Sequence, residues 1–108
     1  MRILFDQGTP VPLKRWLAKH TVETAWQRGW AELSNGNLLA AAEAAGFELL
    51  ITTDQNLLYQ QNLAARQIAI LVITVSNWPA LQPHAADVAA AIEAMREGSY
   101  VEWTPPIV

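Results

Sequence analysis

Ile51-Thr52-Thr53-Asp54-Gln55-Asn56-Leu57 ends an apolar run on a single aspartate, and Ile3-Leu4-Phe5-Asp6-Gln7 does the same near the start of the chain. A short unbroken apolar run reads as a strand covered on both faces. Its handover to a carboxylate sets acid at the mouth of an open α/β sheet. Two such handovers in 108 residues point to a pair of carboxylates held in one cleft.

Working outward, Arg2 to Phe5 predicts a first strand, closed by Asp6-Gln7-Gly8. Thr9 as N-cap and Pro10 in the first turn predict a helix. Leu13, Trp16, Leu17 and His20 share one face of it, which gives Trp16 a core-facing slot. The β-branched alternation of His20 to Ala25 predicts a second strand. Trp26 to Leu33 has no period and reads as a loop. Leu38 to Ala45 reads as a helix stopped by Gly46 in the C′ role, and Phe47 to Thr52 as the third strand. Asp54 is placed to cap a short helix running to about residue 63. Gln67 to Thr74 is a strand of the kind found in the middle of a parallel sheet. Pro79 to Glu97 predicts the longest helix, with Leu81, Ala85, Val88, Ile92 and Met95 as its apolar stripe and Gly98 ending it; Pro83 disturbs its first turn, so the regular helix could start nearer His84. Tyr100 to Trp103 predicts a last, edge strand, ended by Pro105-Pro106.

Strict alternation of strand and helix predicts one α/β domain over residues 1–108: a three-layer α/β/α sandwich on a five-stranded, mainly parallel sheet with right-handed crossovers. The commonest strand order for this pattern is 2-1-3-4-5, with ligands outside the carboxyl ends where strands 1 and 3 meet. Asp6 and Asp54 follow those two strands.

Composition agrees with a compact domain: 52% hydrophobic and 16% charged residues. No apolar run approaches the ~20 residues that span a bilayer, and the start is too short for a secretion signal. With no cysteine, thiolate zinc sites and disulfides are excluded, and a cytoplasmic location is expected. A net charge of −3 means that overall electrostatics do not draw in nucleic acid, so a polyanion needs a local basic patch or a cation. Lys14, Arg15 and Lys19 form the one basic cluster, which also suits a solvated helix face.

Two carboxylates in one crevice repel unless a proton or cation joins them. Oxygen donors select Mg²⁺ or Mn²⁺, which suits in-line hydrolysis of a phosphodiester. Each aspartate also has a bland reading, Asp54 as an N-cap and Asp6 as a turn residue. His20 and His84 offer no hydrolase triad, and there is no phosphate-binding glycine loop.

Leu4-Phe5-Asp6-Gln7-Gly8-Thr9-Pro10, Ser34-Asn35-Gly36-Asn37-Leu38-Leu39 and Leu50-Ile51-Thr52-Thr53-Asp54-Gln55-Asn56-Leu57, in that order, resemble the successive motifs of small bacterial PIN-like proteins, grouped with the VapC-type toxin nucleases. The resemblance runs from about Arg2 to Trp103. It implies a PIN-like fold, an acidic Mg²⁺ or Mn²⁺ site, RNA cleavage and a cognate antitoxin. Asp6 and Asp54 match the family's aspartates as catalytic and metal-binding residues. The middle motif departs: relatives usually carry Asp or Glu there, and this chain has only Asn35 and Asn37 as weak ligands. Gln7 likewise stands where many relatives have Glu. Glu43 and Glu32 are the acids that could compensate, while Asp87 reads as solvent-facing.

Lys14, Arg15 and Arg28 are the candidates for seating phosphates. Trp26 and Trp30 could stack on bases, or pack at a sheet edge or subunit interface. Self-association as a homodimer is expected, through the Tyr100–Trp103 edge or the long helix. The main rival is a catalytically silent PIN-like scaffold that binds protein or RNA. A phospho-accepting receiver domain needs an acidic pair after the first strand and a late lysine; Gln7 and the absence of lysine beyond Lys19 speak against it.

Overall fold

A computed structural model describes residues 1–56 and 66–106. Five strands form one sheet: β1 (Arg2–Phe5), β2 (Thr21–Thr24), β3 (Leu49–Thr52), β4 (Ala69–Ile73) and β5 (Tyr100–Trp103). Their order is β2-β1-β3-β4-β5 and every neighbouring pair is parallel. Both expectations, the order and the parallel sheet, hold, and the sheet is all parallel rather than mainly so. Ile3 sits between Val22 and Leu49, which fixes β1 in the middle of one half of the sheet.

The unbroken apolar strands serve two cores because side chains alternate across a strand. Ile3, Phe5, Leu49, Ile51, Leu71 and Ile73 face one layer. That layer is completed by Leu13 and Leu17, by Leu81, and by Ala85, Val88 and Ile92. Leu4, Leu50, Ile70 and Val72 face the other, where Leu38, Leu39 and Ala42 of helix α1 (Asn35–Ala44) cover them. All five β4 residues are buried, and each large apolar side chain sealed this way contributes roughly 1.5–3 kcal/mol. Gly46 takes the positive φ of 84° that stops α1, as its C′ role requires.

Several expectations need correction. The segment after Thr9 is only a 3-10 helix, Val11–Trp16, and Thr9 does not cap it. The Thr9 hydroxyl instead donates to the Ile51 carbonyl (2.8 Å), and Pro10 takes the cap position. Leu13 and Leu17 are buried, while Trp16, at the end of the 3-10 segment, is 38% exposed, its ring 5.5 Å from that of Trp78. The expected long helix is broken into α2 (Trp78–Leu81), a 3-10 turn (Gln82–His84) and α3 (Ala85–Glu93). Pro83 cannot donate a backbone hydrogen bond, so the regular helix restarts beyond it. α3 ends at Glu93; Gly98, at φ 73°, shapes the later turn into β5. The second and third strands are shorter than expected, as is the fourth, while β5 matches. The helix expected after Asp54 lies outside the described residues.

His20 closes the amino end of the sheet, where its Nε2 lies 2.6 Å from Glu93 Oε1 at the end of α3. This contact holds the Glu93 carboxyl below the usual carboxylate range. Among the described residues no helix is long and apolar enough to cross a membrane.

Candidate functional site

At the carboxyl end of the sheet the chain leaves β1 and β3 side by side. The Asp6 amide donates to the Ile51 carbonyl (3.0 Å), which carries the pairing one step past β1. Asp6 Oδ1 then accepts the Gly8 amide (2.8 Å), a tight aspartate turn. The Thr9 amide donates to the Asp6 carbonyl (3.1 Å), and the Thr9 hydroxyl bond already described pins this turn to β3. At Gly8 the space is tight: a Cβ there would lie 2.5 Å from Thr53 Oγ1, so a larger residue forces the Thr53 side chain to shift.

β3 ends on Thr52, a polar residue only 1% exposed. Its hydroxyl donates to Asp6 Oδ2 and accepts the Asp54 amide (3.1 Å). Asp54 Oδ1 accepts the Asn56 amide (2.9 Å), and Oδ2 accepts the side-chain amide of Asn35 (2.8 Å), the first residue of α1. The two aspartates are thus tied through one buried hydroxyl, with Asn35 attached to the second. Each of the four carboxylate oxygens accepts a hydrogen bond, and such an oxygen has a second lone-pair site.

Beside these groups lies a cleft of about 250 Å³, which Asp54 itself does not line. Asp6, Gly8, Thr53 and Asn35 line it together with Ala25, Trp30 and Leu33 of the loop after β2. That loop is held at its start by reciprocal bonds between Thr24 and Gln27. A larger cavity, about 420 Å³, lies at the opposite end, against Phe47, Ile68 and Met95. Its most enclosed carboxylate, Glu43, is spent on Arg66 (2.7 Å) and the Gln67 amide (3.2 Å). The smaller cleft is the better candidate, because Asp6 lines it at the carboxyl end of the sheet and Asn35, which also lines it, is bonded to Asp54.

The other expected site residues stand apart from it. Asn37 is exposed and does not line the cleft, nor do half-buried Lys14 and exposed Arg15 on the 3-10 segment. Arg28 is bound to Glu23 through two bonds (2.9 and 2.8 Å), with its guanidinium over Phe47 (5.0 Å) and Trp30 (5.4 Å). Phe47 precedes β3, so the guanidinium points toward the amino end. The Arg28 bonds hold the Glu23 carboxyl below its usual range, against a smaller opposing effect of burial. Glu43 lies at the far end, and Glu32 and Asp87 are exposed. Trp26 is 75% exposed, whereas Trp30 packs edge-on against Phe47 (6.2 Å).

The donor set suits a hard cation that keeps most of its water: two carboxylates and no sulfur. Asn35 turns its amide nitrogen, not its oxygen, toward Asp54. Among the described residues no group of three or more His, Asp or Glu side chains gathers to hold a metal ion. Thr52 and Gly8 were not singled out by the sequence. The available signal was a hydroxyl closing an otherwise aliphatic buried strand, two residues before Asp54.

No protein-family model, no curated protein and no solved structure matches the chain. The class defined by the fold is a small α/β domain built on a five-stranded, all-parallel sheet.

Proposed function

We propose that the chain is a PIN-like, metal-dependent ribonuclease with a reduced acidic set, acting as the toxin of a toxin–antitoxin pair. The observation that carries the reading is the juxtaposition of Asp6 and Asp54 through Thr52 at the β1–β3 switch point. The three motifs that resemble PIN-like proteins contribute the same residues. A bound Mg²⁺ or Mn²⁺ ion would supply water activation and neutralise charge on the phosphate. Asp6 and Asp54 provide the negative charge that holds it. Asn35 donates to Asp54 Oδ2 and steadies that carboxylate. Trp30 and Leu33 wall one side of the cleft and limit bulk water there. RNA is the substrate in this reading, a cognate antitoxin the regulator and a homodimer the assembly.

A second reading, the silent scaffold, is favoured by one observation. Asn35 brings no charge where a third carboxylate would sit, and none replaces it among the described residues. The two readings separate in one experiment. In the first, wild-type chain cleaves RNA in Mn²⁺, Asp6→Asn loses that activity with an unchanged circular dichroism spectrum, and Mn²⁺ raises the wild-type melting temperature by mass action. Undiminished cleavage by Asp6→Asn, free of contaminating nuclease, rules the mechanism out. A chain that neither cleaves nor responds to Mn²⁺ is the scaffold.

A further inference from the structure

The geometry points to Thr52 as the positioning residue of the site: its hydroxyl sets the Asp6 carboxylate and the Asp54 turn in one fixed relation. This rests on the reading of Asp6 and Asp54 as a cation site. Thr52 is the last residue of β3, and its neighbours along the strand, Leu50 and Ile51, are aliphatic and buried. A hydroxyl at 1% exposure must find partners inside the protein, and both of those it finds belong to the aspartate pair. The polarity of the relay is settled by atom count. A threonine hydroxyl has one proton, which goes to the carboxylate Oδ2 of Asp6. The Asp54 amide can only donate, so it occupies a lone pair of the same oxygen. Asp6 is held at its other oxygen by the Gly8 amide, so two donors at two oxygens fix the plane of its carboxylate.

The consequence reaches beyond either aspartate alone. A cation shared by two carboxylates needs both at the right separation and tilt. Removing groups that orient metal ligands typically weakens binding about 10–100-fold even when the ligands remain. Valine matches threonine in shape but lacks the hydroxyl, so Thr52→Val removes both bonds while filling the same space. Serine restores the hydroxyl without the methyl group. A purely structural role for Thr52 tracks packing, which valine keeps and serine loses. A positioning role tracks the hydroxyl, with the opposite ranking.

The test compares wild type, Thr52→Val and Thr52→Ser, with Thr52→Ala as a second hydroxyl-free variant if the valine protein fails to fold. Mn²⁺ affinity is measured by calorimetry on the intact chain. The Asp6 carboxyl carbon resonance and Asp54 amide exchange are measured without metal. The expected result is a Mn²⁺ affinity about 10–100-fold weaker in Thr52→Val and restored in Thr52→Ser. In the metal-free proteins, Asp54 amide exchange quickens and the Asp6 resonance moves in Thr52→Val, and both return in Thr52→Ser. Wild-type Mn²⁺ affinity in Thr52→Val, or an unmoved Asp6 resonance, overturns the inference. A wild-type chain that takes up no Mn²⁺ overturns the cation reading instead, and the metal-free resonances then decide on Thr52 by themselves.

Discussion

Replacing Asn35 with aspartate inverts the role of the neutral side chain bonded to the Asp54 carboxylate. At present its amide donates to Asp54 Oδ2 across 2.8 Å. A carboxylate in that place has no proton to give, so the charge-assisted hydrogen bond, a type that contributes about 1.5–3 kcal/mol, is lost. Two like charges relaxed to ~5 Å repel by about 3 kcal/mol at an effective dielectric near 20. Both residues are partly open to water, which reduces that term to roughly 1 kcal/mol. Together the two effects destabilise the metal-free Asn35→Asp protein by about 2.5–4 kcal/mol, a fall of roughly 11–18 °C in melting temperature for a domain of this size. Mn²⁺ offsets much of this loss, because three carboxylates now converge on the cation. At 100 times the dissociation constant the ion returns about 2.7 kcal/mol. The assay is a thermal melt of both proteins across a Mn²⁺ titration. An unchanged metal-free melting temperature would show that the Asn35–Asp54 contact does not form in solution. A lowered temperature that Mn²⁺ does not recover refutes convergence on a cation.

Two further outcomes follow from neighbouring contacts. Gly8→Ala forces a methyl group against Thr53 Oγ1, a contact of 2.5 Å before relaxation, and destabilises the protein by about 1 kcal/mol. The double variant with Thr53→Ala relieves the clash, so a double-mutant cycle by urea unfolding reads a coupling of that size; purely additive effects would reject the contact. Glu23, whose carboxyl is held low by Arg28, contributes stability that is complete above about pH 4.5 and is lost as pH falls through its folded value. Glu23→Gln therefore flattens the acid side of a plot of melting temperature against pH and lowers its neutral plateau, whereas an acid limb as steep as wild type would contradict the ion pair.

The strands and their order were legible because they depend on local apolar runs and on a rule of parallel topology. Ala69–Ile73 carries nothing but aliphatic side chains, and Tyr100–Trp103 is bounded by glycine-serine before it and proline after it. That Asp6 and Asp54 follow neighbouring strands was legible for the same reason, since strand order places β1 beside β3. What stayed hidden depends on bonds between distant segments. Thr9 has the sequence of a cap, but its hydroxyl reaches Ile51 instead. Arg28 looks like a free cation until β2 brings Glu23 beneath it. Trp16 sits at a core spacing for an α-helix, but it ends a 3-10 segment half-exposed against Trp78, a partner more than sixty residues away. Thr52 gives no pattern of its own, because one hydroxyl among aliphatic residues matters only once the fold supplies its partners.

The parallel sheet also governs how the chain comes together on the ribosome. Ile3 completes its pairing only when Leu49 has emerged, and Leu49 in turn waits for Ala69. No hairpin can form early to shelter the amino-terminal strand. Contacts that close over such long stretches of chain slow folding and lengthen exposure of unpaired strand edges. Chains that hold β1 and β2 but not yet β3 are therefore the form in which the inner edge of β1 lies open.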